Sequence, residues 1–424
     1  MRTSPLHIAA AATTCLALVA CTGQSASDGD SEQAEGPQTI TWLIEDTEDA
    51  TAQKALEKHV ADFEDESGHT VDIQTLPFEN MKTVLQTQLR SGDGPDVFNW
   101  GSGPDFGGAL AEAGLLEDLT DAYEEHDWEV FDFAKERVTF DGKVYGIPGE
   151  METIGLFYNK EIFEEAGIEP PQSVSDLMDA AGKIEQAGYI PIALPNQEGW
   201  EGGHYLSMSL SSQIGSEGMQ ALFDGDESWD SPEVVEAIGV WKEMNDAGHV
   251  TESPTSVGYD TGIASYWSGE AAILPTGSWL VGELDDNADF ESGYVPFPAP
   301  DGPGIFAGGL GSGPFVSANT DKKEAAIEFV DFLASEEHAA WTVENLNSIP
   351  ATPVESDGLN VSPLLQQVVA DVEKFAEGGD FGFNIDVLVP AEVNEAIYDG
   401  MQGVLTGQAT PEEVAAELES ASSE

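Results

Sequence analysis

The stretch from Thr39 to Trp100 constrains the fold more than any other. "TITWLIE" (39–45) carries β-branched and aromatic residues and predicts a strand, and Leu56, Val60 and Phe63 then recur at helical spacing. "VDIQTLPF" (71–78) predicts a second strand, Met81, Val84, Leu85 and Leu89 a second helix, and "PDVFNW" (95–100) a third strand. A strand-helix-strand-helix-strand run argues a parallel sheet covered by helices, hence an α/β chain. Ligands of such sheets sit beyond the carboxyl ends of the strands. Glu45, Asp46, Phe78 and Ser102 are therefore candidates by position.

Further along, Ser173 with Asp176 and Thr410 with Glu413 fit capping boxes, and Pro232 and Pro411 stand at first helical positions. Val234, Val235, Ile238 and Trp241 share one helical face, which makes Trp241 a core residue, and Gly248 is a helix stop. Ala326, Phe329, Val330 and Leu333 mark another amphipathic helix. Proline and glycine thicken over 293–314, which reads as a crossover loop.

A chain of 424 residues with 41% apolar content can build two or three domains with real cores. Its 80 acidic against 14 basic residues give a formal net charge of −66. Nucleic acid and anionic lipid surfaces would repel such a molecule, since binding to polyphosphates rests on Lys and Arg contacts. The acids are spread along the whole chain, which favours a solvated surface suited to high salt over the steering of a cationic ligand.

The first twenty residues read as a targeting leader: Arg2 supplies a minimal positive region, and Ile8 to Ala20 an apolar run too short to span a membrane. "LVAC" (18–21) resembles a bacterial lipobox, which implies cleavage before Cys21 and a diacylglyceryl thioether on it. Cys15 departs with the leader, so Cys21 has no partner for an intramolecular disulfide. Residues 21–37, small, polar and acidic, have the composition of a flexible tether. The folded part is expected outside the cell, touching the membrane only through that lipid.

"YGIPGEMETIGLFYNK" (145–160) sets Glu150 and Glu152 at the mouth of an apolar strand. Alternate residues of an extended chain share a face, roughly 6 to 7 Å apart. Two carboxyls at such a spacing could serve a glycoside hydrolase, or accept hydrogen bonds from ligand hydroxyls. The seven histidines never pair at ligand spacing, and no zinc, P-loop or nucleophile-elbow motif is present, so no metal or cofactor is expected. Beyond the leader only Arg90 and Arg137 remain, and anionic ligands usually need a bidentate guanidinium. Trp100, Trp200, Trp267 and Trp279 all lie in Gly-rich or turn-like contexts among carboxylates and amides. An indole face packs well against the C–H face of a pyranose, so these contexts point to carbohydrate.

"GPDVFNW" (94–100), "YGIPGEMETIGLFYNKEIFEEAGIEPPQS" (145–173), "SGEAAILPTGSW" (268–279), "AGGLGSGPFVSANTDKKEAAIEFVDFLASEE" (307–337) and "GVLTGQATPEEVAAELE" (403–419) together resemble, in order, the extracellular sugar-binding proteins of ABC importers, similar to the maltose-binding type. The resemblance spans about 38–420. It implies a two-lobed periplasmic-binding-protein-like fold of type II, each lobe a mostly parallel sheet flanked by helices, with a hinge crossed more than once. Lobe one would take 38–150 and 313–350, and lobe two 151–306 and 356–424. Position by position it implies ligand contacts at Asp46, Glu152, Glu198 with Trp200, and Trp279. Ser102, Phe78, Trp267 and Gly309 complete the candidate set, with Phe383 or Phe381 standing in for a C-terminal aromatic contact near Asn394. Either Asp105 or Gly103 fills the acidic place after Trp100. The resemblance further implies a monomeric binder without enzymatic activity, which captures a neutral oligosaccharide between its lobes and delivers it to membrane permease subunits. A cationic or zwitterionic solute is the alternative ligand.

Overall fold

The structure, a computed structural model, describes residues 36–423 other than 47–49, 356–357 and 379–380. The leader and Cys21 lie outside the described residues. β1 (Thr39–Glu45), β2 (Thr70–Leu76) and β3 (Val97–Gly101) are connected by helices Ala50–Ser67 and Phe78–Ser91. β1 runs parallel to β2 from the Thr39–Thr70 pair to Glu45–Leu76, and parallel to β3 at Trp42–Val97. A two-stranded hairpin, β4 (Thr139–Phe140) with β5 (Lys143–Val144), precedes β6 (Met151–Asn159). The second sheet is assembled around β6 from β7 (Ile190–Ile192), β8 (Ala271–Gly277), β9 (Ser292–Val295) and β10 (Ala307–Leu310). β11 (Ser312–Val316) then returns to the first sheet, antiparallel to β3.

The expectation of a mostly parallel sheet in each lobe holds for the first sheet and not for the second. β8, β9 and β10 all run antiparallel to β6, and β7 with β8 is its one parallel pair among the described residues. The segment expected to be a crossover loop, 293–314, instead contributes to β9, β10 and β11. Gly308 there serves close approach in place of turning: a Cβ on it would stand 2.3 Å from the Phe381 ring.

Each sheet has its own core. Trp42, Phe98, Phe315 and Phe329 pack in the first, and Tyr205, Met208, Trp241 and Ile273 in the second. Trp241 is fully buried, as expected, and its indole N–H donates to the Tyr205 carbonyl at 2.9 Å. A third cluster packs Phe157 and Tyr294 of the second sheet, with Phe306 just before β10, against Val368 and Val369 of helix Pro363–Gly378, and takes in Phe131 and Ala134 from before the β4–β5 hairpin. Asp96 stitches the first sheet to the chain beyond β11. Its carboxylate accepts from the Thr41 amide at 2.8 Å, the Thr320 hydroxyl at 2.6 Å and the Lys322 ammonium at 2.8 Å.

The chain passes between the sheets along three strands of backbone lying side by side. Residues 145–151 run against 310–315, with the Ile147 amide donating to Pro314 at 3.0 Å and the Gly311 amide to Glu150 at 2.8 Å. The Met151 amide donates to Ile349 at 2.6 Å, which ties in the third passage. Two positions of the crossing have no room for a side chain. A Cβ on Gly313 would meet the Ile147 carbonyl oxygen at 2.2 Å, and one on Gly149 the Gly311 carbonyl oxygen at 2.4 Å.

Candidate functional site

A cleft of about 810 Å³ opens at this crossing, walled by Trp42, Asn99 and Trp341 on one side and floored by Glu150 and Glu152. A second hollow of about 500 Å³ shares Glu150, Glu152, Leu346 and Asn347 with it and is also lined by Trp279. Among the described residues no Lys or Arg lines either. Both glutamates are placed by the hinge: Glu150 holds Gly311 through its carbonyl, and Glu152, in β6, lies opposite Gly309 of β10. Glu150 keeps solvent-accessible surface, yet protein surrounds it as it does any group on a cleft floor. That loss of bulk water holds its carboxyl above the usual range, against the pull of a hydrogen bond from Ser348 and with a push from Glu45. The Glu152 carboxyl is raised as well, first by burial and then by Glu150. Glu45, at the end of β1, is raised by burial. Three carboxyls, Glu45 from the end of β1 and Glu150 and Glu152 from the crossing, thus face a ligand-sized space as acceptors.

The other wall is aromatic. β8 ends at Gly277, and the Trp279 ring folds back over it so closely that no side chain could replace that glycine's hydrogen. The indole N–H donates to the Tyr259 hydroxyl at 3.0 Å, which shares a 2.8 Å bond with Thr276. Trp279 is nevertheless 38% exposed, the one large hydrophobic side chain left so open among the described residues. Trp200 opens helix Trp200–Phe223, and its ring meets Tyr259 edge-on at 4.7 Å and His204 at 5.0 Å. His204 also lies 5.4 Å from Trp279, and its Nε2 stands 3.4 Å from an Asp386 carboxyl oxygen. These two groups act electrostatically on Glu152, which joins the aromatic wall to the carboxyl floor.

Glu198 and Glu201 flank Trp200. Glu198 is exposed and accepts from the Tyr259 amide at 3.1 Å, while Glu201 is 2% exposed. Neither Glu201 oxygen has a partner in full hydrogen-bonding geometry, although the Glu198 carboxyl stands close enough to act on it. Burial first, and then Glu198, push Glu201 up to about 8. Glu201 is thus neutral at pH 7, and its proton keeps Glu198 below the usual range.

The structure brings Glu152, Trp279, Trp200, Glu198 and Gly309 to this region, and Asp46 follows β1 in exposed position beside Glu45. Ser102 follows β3, its hydroxyl buried without a partner. The Phe78 backbone opens a helix, and its side chain lies outside the described set, as does that of Asp105. Trp267 is corrected: it ends helix Tyr259–Trp267 beside the opposite end of β8 and packs on the third core. Trp100 lies within β3 at 7% exposure, a core residue and not a loop residue. Phe383 packs on Phe223 under the Arg137 guanidinium, and Phe381 stacks on Phe133 at 4.9 Å. His204, Tyr259, Asp386 and Trp341 were missed. Only His204 had a readable signal, one helical turn beyond Trp200.

Two sheets joined by a triple crossing, with a polar and aromatic cleft at the joint, define a protein that takes a small solute between two lobes. The chain belongs to the bacterial extracellular solute-binding protein family, whose model matches residues 47–340. It is 26% identical to the multiple sugar-binding protein of Streptococcus mutans over 359 residues, 82% of this chain and 81% of that one. It is 26% identical to the maltotriose-binding protein of Pyrococcus abyssi, covering 77% and 68%. Among solved structures it resembles a chitin oligosaccharide binding protein at TM-score 0.73 and 25% identity, covering 91% of this chain and 98% of that one. Apo RafE from Streptococcus pneumoniae shares the fold at TM-score 0.75 and 21% identity, with 91% and 98% covered.

Proposed function

We propose that this protein captures a neutral oligosaccharide in the cleft between its lobes and delivers it to an ABC permease. The observation that carries this reading is Trp279, an exposed indole held by Tyr259 in a hollow that also presents the carboxyls of Glu150 and Glu152 and the amide of Asn347, and that no Lys or Arg of the described residues lines. An apolar face beside hydrogen-bond acceptors is what the two faces of a sugar ring require. Relatives named for multiple sugars and maltotriose, and a structural neighbour named for chitin oligosaccharides, support the ligand class. In this reading lobe one (38–150, 313–350) and lobe two (151–306, 356–424) close on the ligand about the crossing. The monomer, held to the outer face of the membrane by lipid on Cys21, presents that closed form to the permease. Glu150 and Glu152 hold hydroxyls and perform no hydrolysis.

A cationic or zwitterionic solute is the second reading, favoured by the convergence of Glu45, Glu150 and Glu152 in a hollow that no Lys or Arg of the described residues lines. Titration calorimetry in molar salt against mono- to tetrasaccharides, betaine and a polyamine separates the two. Saturable one-to-one heat with a sugar establishes the first, and heat only with the cations replaces it by the second. Continuous heat from turnover refutes both.

A further inference from the structure

Glu201 lines neither hollow, yet it stands in the first turn of helix Trp200–Phe223, directly behind the aromatic wall. It is 2% exposed, and the Glu198 carboxyl is the side chain that acts on it at close range. A lone charge in such a place is costly, so the carboxyl keeps its proton, and two carboxyls in contact titrate as a pair.

Glu198 is the link to the ligand side. It accepts from the Tyr259 amide at 3.1 Å, and Tyr259 opens helix Tyr259–Trp267. The cap residue of that helix is Gly258, which has no side chain to offer, so Glu198 supplies the acceptor that the free amides of a helix start require, and the helix dipole favours its negative charge. The Tyr259 hydroxyl in turn accepts the Trp279 indole N–H at 3.0 Å and shares a 2.8 Å bond with Thr276, while Trp200 packs edge-on against its ring. Four residues, Glu201, Glu198, Tyr259 and Trp279, thus run from a buried acid to the exposed indole.

The other titratable groups around this turn are three tyrosines and a histidine. Tyr205, on the same helix, donates its hydroxyl to the Pro195 carbonyl. Tyr259 faces Glu201 from its own helix and also feels Glu283. Helix Ala391–Thr406 brings Tyr398 and Gln402 against Gly199 and Met401 against Gly202. Burial holds all three tyrosines above their usual range, so none ionises together with Glu201. His204, one turn along, faces Asp386 and Trp279.

We propose that Glu201 is a positioning residue for ligand capture: its proton holds Glu198 on the start of helix Tyr259–Trp267 and, through Tyr259, fixes Trp279, so that sugar affinity is coupled to pH. This rests on the reading of the cleft as a carbohydrate site and adds to it the condition under which the aromatic wall is assembled. When Glu201 loses its proton, near pH 8, a second negative charge stands buried beside the first. Glu198, which is exposed, is driven outward, and the Tyr259 amide loses its acceptor. Sugar then binds less tightly, and by linkage the bound form holds the proton more firmly than the free form, so that binding above pH 8 takes a proton up.

The test is calorimetric titration of the full-length protein in molar salt, which screens exposed charges more than buried ones. The probe is the neutral mono- to tetrasaccharide that binds most tightly at pH 7. Titrations run from about pH 6 to about pH 10, each in two buffers of different ionisation enthalpy. Wild type is expected to lose about tenfold in affinity around pH 8, with heats that differ between the buffers by the proton taken up. Glu201→Gln keeps the side-chain volume and cannot ionise, so the decline and the buffer difference should both disappear. Level wild-type affinity over this range, or a decline that the Gln variant shares, overturns the proposal and leaves sugar capture standing. No heat from any saccharide at pH 7 overturns the carbohydrate reading and this inference with it. Should the Gln variant fail to fold, the wild type decides alone: proton uptake centred near pH 8 supports the proposal, and its absence refutes it.

Discussion

Replacing Trp279 by Ala tests the aromatic wall directly, and its effect can be worked from the exposed area. A tryptophan side chain offers roughly 200 Å², and 38% of Trp279 is still open to water. A sugar ring lying on that face would cover roughly 75 Å², which at about 25 cal/mol per Å² contributes about 1.9 kcal/mol. At 1.4 kcal/mol per decade this is a loss of about 20-fold in affinity. The cost of immobilising the ligand cancels, because wild type and variant both bear it. Fold stability changes little, since the side chain is the most exposed large hydrophobic of the described residues and Tyr259 keeps its bond to Thr276. The assay is titration calorimetry with the tightest sugar, beside a thermal melt of the apo protein. Unchanged affinity with an unchanged melt would remove Trp279 from the site and the area argument with it.

Other consequences follow from the same geometry. Asp96→Ala leaves the Lys322 ammonium and two hydroxyls without their acceptor, so chemical denaturation should show a loss of about 3 to 5 kcal/mol. Burial alone would raise the Asp96 carboxyl, but Lys322, Thr320 and Thr41 hold it below 3.8. Its contribution is therefore present above that value and is lost as pH falls through the lower folded one, a decline that the variant should lack. Gly313→Ala puts a methyl group against backbone atoms that cannot move aside. A drop of about 1 to 3 kcal/mol in unfolding free energy is expected, and an unchanged urea midpoint would show that the crossing is looser than drawn. Glu201, raised to about 8, binds its proton more tightly folded than unfolded, so wild-type stability falls as pH rises from about 4.5 to about 8. Glu201→Gln should abolish that fall and melt higher than wild type at pH 9 but not at pH 5; parallel melting curves would exclude a buried neutral carboxyl.

Reading the sequence located the parts whose cause is local. The period-two and period-3.6 apolar patterns of 39–100 became β1, β2, β3 and their helices, within a residue or two at each end. Thr410 and Glu413 form the reciprocal capping box that their spacing implies. Glu152, Trp200 and Trp279 were legible because each stands beside a strand end or a helix start. What failed was reading glycine and tryptophan by their neighbours in sequence. Gly308 and Gly309 looked like a turn and are strand, because what they make room for, Phe381 at Gly308, comes from elsewhere in the chain. Trp100 and Trp267 looked like Trp279, and only packing separated them.

By itself the sequence determined the α/β alternation, the acidity, the absence of metal and nucleotide motifs, and which carboxyls and indoles were available. These depend on residues close together in the chain. Tertiary structure decided that β11 returns to the first sheet, that the second sheet is antiparallel about β6, and that His59, from the first helix, covers one face of Trp341. It also decided that Glu45, Glu150 and Glu152 share one space. Such outcomes are set by contacts between segments far apart along the chain, whose meeting depends on the packing of the whole and leaves no periodicity in any one of them.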